Sequence, residues 1–222
     1  MLYVISSPIG NLQDITLRAL ETLKSVDLIL CEDTRVTSNL LKHYEIHKEL
    51  ISFNAQSESY KIARVIDTLR TGRPVALISD AGTPTISDPG VRLISEAVKN
   101  DIEIIPIPGV SAPIVALSIA GLPTDGFIFE GFIPQKKGRQ KFLSSLLEND
   151  KTVVFFESSH RIEKLIGELA NVIPDRKIAV CRELTKMFEE VWRGTAAEVK
   201  EALPTYTIKG EFVVLIAPVK WK

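Results

Sequence analysis

Three turn-rich segments contain the residue types that could hold a small polar ligand. Each directly follows an apolar, strand-like run, and the segments are Ser6–Asn11, Ser79–Pro84 and Pro106–Ala112. Ligands of open α/β sheets bind beyond the carboxyl ends of the strands, so three such turns predict one shared crevice rather than three unrelated surface turns. None of them has the glycine spacing of a dinucleotide fingerprint or the Gly-Lys-Ser/Thr of an NTPase phosphate loop, which argues against both classes.

The middle segment continues to Gly90 as SDAGTPTISDPG, with two aspartates, two prolines and two glycines. A stretch this rich in turn-forming residues cannot pack as a core, and its exposed backbone N–H and C=O groups need partners. A polar ligand is one source of those partners.

Charged side chains cluster after three other apolar runs. Such clusters are often surface ion pairs of little consequence, but their recurrence at the ends of strands favours a polar cleft. They are Glu32, Asp33 and Arg35 in CEDTR; Glu157, His160 and Arg161 in FFESSHR; and Arg182, Glu183 and Lys186 in CRELTK.

A separate basic cluster lies in QKKGRQK, and its cations are Lys136, Lys137, Arg139 and Lys141. The formal net charge of the chain is −1, whereas strong nucleic-acid binders usually carry a basic excess. Any RNA would therefore be met by a local patch. This cluster is either the solvated start of a helix or a contact for RNA phosphates, and we favour the phosphate contact.

The composition is that of a globular protein in a reducing compartment. The chain has 222 residues, 45% of them hydrophobic, and its two cysteines, Cys31 and Cys181, lie far apart in apolar runs that favour buried thiols. We expect no membrane span and no signal peptide, and hence a cytoplasmic protein. The three histidines are too scattered for a metal cage, so we expect no metal site and surface positions for His43 and His47.

The pattern of elements predicts an α/β fold in two domains, 1–113 and 114–222. The first has strand-like runs rich in β-branched residues, between helical patterns such as the stripe of Leu17, Leu20 and Leu23. These near-continuous apolar strands predict a mostly parallel sheet with helices on both faces. Its predicted strands are Leu2–Ser6, Asp27–Cys31, Leu50–Phe53, Pro74–Ser79 and Ile102–Pro106.

The second domain is predicted to be mixed α/β with antiparallel pairs. Thr195 and Glu198 have the spacing of a capping box and predict a helix start. The predicted strands are Phe127–Glu130, Thr152–Phe156, Ile178–Cys181, the β-rich Met187–Arg193 and Glu211–Ala217, with helices at about Arg139–Leu147 and Arg161–Val172.

The motifs SSPIGNLQDITLRALETL, CEDTR, LISDAGTPTISDPG, PGVSA, FFESSHR and CRELTK, in this order, resemble those of the ribosomal RNA small-subunit methyltransferase I family, within the tetrapyrrole methylase superfamily. The resemblance runs from about Leu2 to Ala217. It implies a homodimer of the two-domain tetrapyrrole-methylase fold, with S-adenosylmethionine in the cleft between the domains. Many members continue past the final strand, so what that segment adds to RNA docking is expected to be absent or replaced here.

The resemblance further implies methyl transfer to a cytidine ribose 2'-hydroxyl in small-subunit ribosomal RNA, free or in the assembled subunit. It assigns cofactor contacts residue by residue to Pro8, Ala81, Gly82, Thr83, Ile86, Ser111 and Ala112, and in the second domain to Phe156 and Leu184.

The hydroxyl nucleophile must lose its proton, so a general base is expected. The candidates are Asp33, Glu157, His160, Glu183 and Lys186, while Arg35, Arg161 and Arg182 join Lys136, Lys137 and Arg139 as candidate RNA contacts. Two alternatives stay open: a methyltransferase of the same superfamily acting on a tetrapyrrole or in the manner of diphthine synthase, and a non-catalytic adenosylmethionine-binding protein.

Overall fold

The computed structural model describes residues 1–221, which form two compact units, Met1–Ser111 and 112–221. The predicted domain boundary at residue 113 stays a prediction. Each unit is built around one five-stranded sheet.

The first unit is a parallel sheet in the order β3-β2-β4-β1-β5, as predicted. The strands are β1 (Leu2–Ile5), β2 (Leu28–Cys31), β3 (Glu49–Ser52), β4 (Val75–Ile78) and β5 (Ile104–Ile107). The helices are α1 (Leu17–Ser25), α2 (Thr34–His43), α3 (Glu58–Arg70) and α4 (Val91–Lys99), with a 3-10 turn at Leu12–Asp14.

Helices cover both faces of this sheet because its central strands are apolar at every position. All four residues of β2 and of β4 are buried. Ile29 and Cys31 point into a core shared with α1 and α2, whereas Leu28 and Leu30 point into a second core shared with α3 and α4. This alternation follows from the two-residue period of a strand.

The predicted buried stripe of α1 was partly wrong. Leu23 is buried, but Leu17 is 79% exposed. Leu17 is the first residue after the N-cap Thr16, and the face that packs on the sheet comprises Ala19, Thr22 and Leu23. The spacing of the leucines correctly indicated a helix, but Leu17, at the helix start, faces solvent instead of the sheet.

The second unit has a mixed sheet in the order β6-β7-β10-β8-β9. Its strands are β6 (Phe127–Phe132), β7 (Thr152–Ser158), β8 (Lys177–Arg182), β9 (Glu190–Thr195) and β10 (Glu211–Ile216), and its helices are α5 (Ala112–Ala120), α6 (Arg139–Ser145), α7 (Ile162–Val172) and α8 (Ala196–Ala202), with a 3-10 turn at Leu203–Thr205. The pairs β7–β10, β10–β8 and β8–β9 are antiparallel, as predicted, and β6–β7 is parallel.

Two predictions for this unit, the capping box at Thr195 and the strand at Met187–Arg193, had different outcomes. The capping box of α8 is present, with the Thr195 hydroxyl accepting from the Glu198 N–H and the Glu198 carboxylate accepting from the Thr195 N–H. The predicted strand at Met187–Arg193 begins later, at Glu190. Met187 lies in a turn and is 90% exposed, so the strand pattern there was wrong for its first three residues.

Within residues 1–221, no helix is long and apolar enough to cross a membrane, and no group of three or more His, Cys, Asp or Glu side chains is arranged to hold a metal ion. Both cysteines are free and buried, as predicted. His43 and His47 are exposed, also as predicted.

Candidate functional site

The loops that follow β1, β4 and β5 meet at one edge of the first sheet because these three strands are neighbours, in the order β4-β1-β5. The chain leaves β1 toward β2 on one side and leaves β4 toward β5 on the other. Open α/β sheets bind ligands beyond the carboxyl ends of their strands, which is where these three loops lie.

Backbone hydrogen bonds join the first and middle loops. The Ser7 N–H donates to the Gly82 carbonyl at 2.9 Å, and the Gly82 N–H donates to the Ser7 carbonyl at 3.1 Å. The Ser7 hydroxyl donates to the Ser79 carbonyl at 2.9 Å. Gly82 has φ +80°, a conformation that side chains with a Cβ rarely adopt, so glycine suits this bridge.

A chain of hydroxyl groups adds the third loop. Ser6 Oγ and Thr83 Oγ1 lie 2.9 Å apart, and Thr83 Oγ1 donates to the Val110 carbonyl at 3.2 Å. A Cβ added at Gly109 would lie 2.9 Å from the Ser6 Cβ, closer than real Cβ contacts allow. The three loops are thus fastened to one another through Ser6, Thr83 and the main chain.

Carboxyl groups gather beside these loops. The Asp33 N–H donates to Asp80 Oδ1 at 3.0 Å, which connects the loop after β2 to the middle loop. Burial raises the pKa of Asp88 to about 6, with a contribution from the charge of Asp80. Burial and the neighbouring aspartates also raise the pKa of Glu32, and burial raises that of Asp80. This edge of the sheet therefore has an excess of negative charge that a cationic ligand would relieve.

Two residues of the middle loop are held in a strained backbone conformation. Thr85 has φ +75° and Ser87 has φ +65°. Positive φ is unfavourable for a β-branched residue such as Thr85, and strain of this kind concentrates at functional sites.

The residues predicted to contact the cofactor differ in exposure. In the first unit, Ala81 and Ile86 are exposed, Thr83 and Ser111 are half-buried, and Pro8 and Gly82 are buried. Ala112, at the start of α5, is half-buried in the second unit, where Phe156 is also half-buried and Leu184 is buried. The loops bring Gly82, Thr83 and Ser7 together directly, while the other assignments stay predictions.

Asp33 has another task in this structure. It is the N-cap of α2, and its carboxylate accepts hydrogen bonds from the Arg35 N–H and guanidinium. Those hydrogen bonds lower the pKa of Asp33 to about 2. A carboxylate with so low a pKa is a weak proton acceptor, so Asp33 is a poor general base. The Arg35 side chain is 88% exposed and remains accessible to a phosphate.

In the second unit, Glu157 and Arg139 are buried ion-pair partners and not surface groups. The Glu157 side chain is 0% exposed and pairs with Arg161 at 2.7 Å and with Arg139 at 3.8 Å. Arg139 also pairs with Glu168 at 2.5 Å and donates to the Pro134 carbonyl. The expectation that Arg139 faces RNA is corrected, because its charge is used to anchor the basic loop.

Lys136, Lys137 and Lys141 are exposed, and none of them forms an ion pair among the described residues. The basic patch predicted from QKKGRQK thus consists of three lysines without Arg139. These side chains are accessible to phosphates.

Two charged side chains of the CRELTK segment, Glu183 and Lys186, bond to each other and to Glu211. Lys186 Nζ donates to Glu183 Oε1 at 2.9 Å and to Glu211 Oε2 at 2.8 Å. Burial acts to lower the pKa of Lys186, but these hydrogen bonds raise it overall, so the side chain is a cation and not a base. Burial acts to raise the pKa of Glu183, but hydrogen bonds from Lys186 and the Glu211 N–H lower it overall.

Arg182 is likewise buried, against the expectation that it holds RNA phosphate. It donates to the carbonyls of Lys209 and Phe188 at 2.6 and 2.9 Å. Its role is to fix the turn between β8 and β9. His160, by contrast, lies exposed in the turn after β7.

Sequence reasoning missed Ser6, Ser7, Asp80 and Asp88 as site residues. All four lie within motifs that it singled out. A Ser-Ser pair directly before Pro8 was a usable signal, since short hydroxyl side chains readily bond to neighbouring backbone. Which carboxylates lose solvent depends on tertiary contacts and had no signal in the sequence.

Known proteins resemble this chain along nearly its whole length. A family model described as Tetrapyrrole (Corrin/Porphyrin) Methylases matches residues 1–200. The Ribosomal RNA small subunit methyltransferase I of Halalkalibacterium halodurans is 44% identical over 216 residues, covering 97% of this chain and 75% of that protein. The protein of the same name from Thermotoga maritima is 42% identical, with 97% of each chain covered.

Solved structures show the same fold. A cobalt precorrin-4 methyltransferase superimposes with a TM-score of 0.70 at 21% identity, covering 97% of this chain and 94% of the other. Diphthine synthase gives 0.71 at 15% identity, covering 97% and 89%. Uroporphyrin-III C-methyltransferase from Thermus thermophilus, complexed with S-adenyl homocysteine, gives 0.67 at 17% identity, covering 98% and 97%.

Both the two-unit fold and the motif resemblance are thereby confirmed. The family consists of methyltransferases that use S-adenosylmethionine. The chain belongs to the tetrapyrrole methylase family, among the ribosomal RNA small subunit methyltransferase I proteins.

Proposed function

We propose that this protein transfers a methyl group from S-adenosylmethionine to the 2'-hydroxyl of a cytidine ribose in small-subunit ribosomal RNA. The observation that carries the cofactor half of the proposal is the fastening of three loops at adjacent strand ends by Ser7, Gly82, Ser6 and Thr83. The RNA part of the proposal is supported by two relatives named Ribosomal RNA small subunit methyltransferase I, which are 44% and 42% identical to this chain.

The residues present fit the methyl donor. S-adenosylmethionine carries an ammonium and a sulfonium, and the loops lie beside Glu32, Asp80 and Asp88, whose pKa values burial raises. A ligand with two positive centres would relieve that desolvated negative charge. Its polar edges would be met by main-chain groups around Ala81, Gly82 and Thr83, its proposed contacts in this loop.

Bound S-adenosylmethionine supplies an electrophilic methyl group for in-line displacement. The protein must therefore align the ribose oxygen and accept its proton. Of the five candidate bases, Asp33, Glu157, Glu183 and Lys186 are held in ion pairs. We assign the proton-accepting role to His160, which has no hydrogen bond or ion pair among the described residues.

Hydrogen bonds and an ion pair hold the turn that contains His160. The Arg161 N–H donates to the Ser158 carbonyl at 3.0 Å, and the Arg161 side chain joins the Ser158 hydroxyl and the buried Glu157 carboxylate. This network holds the backbone of the turn that carries His160 at the end of β7, which supports the proposed role. Glu157 and Arg161 thus act through His160, and Arg161 is not assigned a phosphate.

The remaining RNA contacts are assigned to Arg35, Lys136 and Lys137, which are exposed. We further propose that the protein is cytoplasmic, since the proposed substrate is ribosomal and the thiols of Cys31 and Cys181 are unpaired. The proposal of a homodimer rests on the family resemblance.

The test supplies labelled S-adenosylmethionine with three acceptors in parallel: small subunits that lack the modification, free small-subunit RNA and a porphyrin precursor. We expect label in the RNA, at a ribose 2'-oxygen of cytidine after nuclease digestion. Label in the porphyrin arm would support a tetrapyrrole methylase instead. No label in any arm, together with binding of S-adenosylhomocysteine, would support a non-catalytic binding protein.

His160→Ala tests the assignment of the base. General-base catalysis typically contributes roughly 100- to 10,000-fold, so kcat should fall by about that factor while the affinity for S-adenosylhomocysteine stays the same. His43→Ala, a change of an exposed histidine on α2, is the matched control. Wild-type turnover by the His160 variant would show that another group accepts the proton.

A further inference from the structure

Strand β6, at the edge of the second sheet, has an irregular pairing with β7. Phe129 lies opposite Val154 and Phe132 lies opposite Phe156, so three steps along β6 match two along β7. The extra residue forms a β-bulge, and Gly131 within it has φ +61°. A regular strand would place residues 129 and 132 on opposite faces. The bulge instead brings both to the face that carries Phe156.

Three phenylalanines meet on that face as a result. The ring centroids of Phe129 and Phe156 are 5.2 Å apart at an interplanar angle of 74°, and those of Phe132 and Phe156 are 5.3 Å apart at 56°. The adjacent ring on β7, Phe155, points to the opposite face and is fully buried in the core. Phe132 rests on Phe156 yet is 59% exposed, and it presents a flat aromatic surface to solvent.

Two lysines follow Phe132 four and five residues further along the chain. Lys136 and Lys137 are exposed and unpaired within residues 1–221, and four residues of chain span at most roughly 14 Å. Arg139 anchors this segment through Glu168 and the Pro134 carbonyl, so the lysines stay near the end of β6. In a chain with a net charge of −1, an exposed aromatic ring followed by unpaired lysines is a local feature complementary to a polyanion.

We propose that Phe132, supported by Phe129 and Phe156, stacks against an unpaired base of the RNA substrate, while Lys136 and Lys137 contact the flanking phosphates. A stacking ring combined with a positive track is how proteins hold single-stranded RNA, because every base has a flat face and every linkage a charge. This inference rests on the proposed function, which supplies the RNA. It adds a substrate-binding surface to it.

The experiment measures binding of a fluorescein-labelled, unstructured oligoribonucleotide of cytidine and uridine by anisotropy. Loss of one stacking contact is worth about 1–3 kcal/mol, so Phe132→Leu should weaken binding roughly 5- to 150-fold. Phe132→Trp keeps a flat ring and should bind at least as tightly as the wild type. Tyr60→Leu is the matched control, since Tyr60 is 70% exposed with Lys61 over its ring, but lies on α3.

Two further measurements separate the possible outcomes. Calorimetry with S-adenosylhomocysteine should give the same affinity for all variants, which shows that the cofactor site is intact. If Phe132→Leu binds the oligonucleotide like the wild type, or weakens binding no more than Tyr60→Leu does, the proposal is overturned. It is overturned as well if light scattering shows that Phe132→Leu dissociates a dimer, because the ring then belongs to an interface between copies.

Failure of the proposed function would look different. The wild-type protein would bind the oligonucleotide in a Phe132-dependent way but transfer no methyl group to small subunits. In that outcome the stacking surface stands and the assigned reaction does not.

Discussion

At the scale of single residues, Thr83 makes two contacts that hold the proposed cofactor loops together, to the Ser6 hydroxyl and to the Val110 carbonyl. Thr83→Val keeps the shape of the side chain but removes both hydrogen bonds. At a net 0.5–1.5 kcal/mol for each bond, we expect about ten-fold weaker binding of S-adenosylhomocysteine by calorimetry. Thr83→Ser retains the hydroxyl and should bind like the wild type. Equal affinities of the two variants would contradict this role.

The loop after β5 passes close to the end of β1, where Gly109 faces Ser6. A Cβ at Gly109 would meet the Ser6 Cβ at 2.9 Å, so the two loops must separate in Gly109→Ala. Overpacking of this kind costs typically 1–3 kcal/mol, and urea unfolding should show a loss of about that size together with weaker cofactor binding.

Gly167, in α7, provides a control for the Gly109→Ala variant. Outside the local helix backbone, no atom lies within 4 Å of a Cβ added at Gly167. Gly167→Ala should therefore stabilise the protein by about 0.5–1 kcal/mol, because alanine loses less backbone entropy in a helix. If both alanine variants change the free energy of unfolding in the same direction, the close approach of Gly109 to Ser6 does not explain the effect of Gly109→Ala.

For the whole molecule, the acidic edge of the first sheet makes stability depend on pH. Burial raises the pKa of Asp88 from its ordinary value of 3.8 to about 6, so the folded state favours the neutral carboxyl. The stability contributed by this group is fully present below pH ~4 and is lost as the pH rises through about 6. Asp88→Asn mimics the neutral form at every pH. The variant should therefore melt at a higher temperature than the wild type above pH 6.

The difference in Tm should shrink between pH 6 and pH 4 and vanish below that range. Exposed Asp150→Asn is the control and should show no such trend. A constant Tm difference across the range would mean that Asp88 is not desolvated in the folded protein.

Local features of the sequence were enough to predict most elements and the motif loops. The Thr195 and Glu198 capping box was confirmed because its hydrogen bonds join residues three apart. The apolar runs predicted β2 and β4 because a parallel sheet buries both faces of a strand. Errors such as the exposed Leu17 arose at element ends, where the local pattern does not determine the buried face.

The sequence by itself determined where the chemistry-bearing loops begin, since a strand end and its turn are encoded by adjacent residues. Only the tertiary structure decided which charged side chains form buried ion pairs and which face solvent. Arg139 and Lys137 read alike in QKKGRQK, yet only Arg139 meets Glu157 and Glu168, which come from distant parts of the chain. It also decided that Ser6 meets Thr83 and that Phe132 rests on Phe156. Contacts between residues far apart in sequence depend on strand order and register, which no local pattern records.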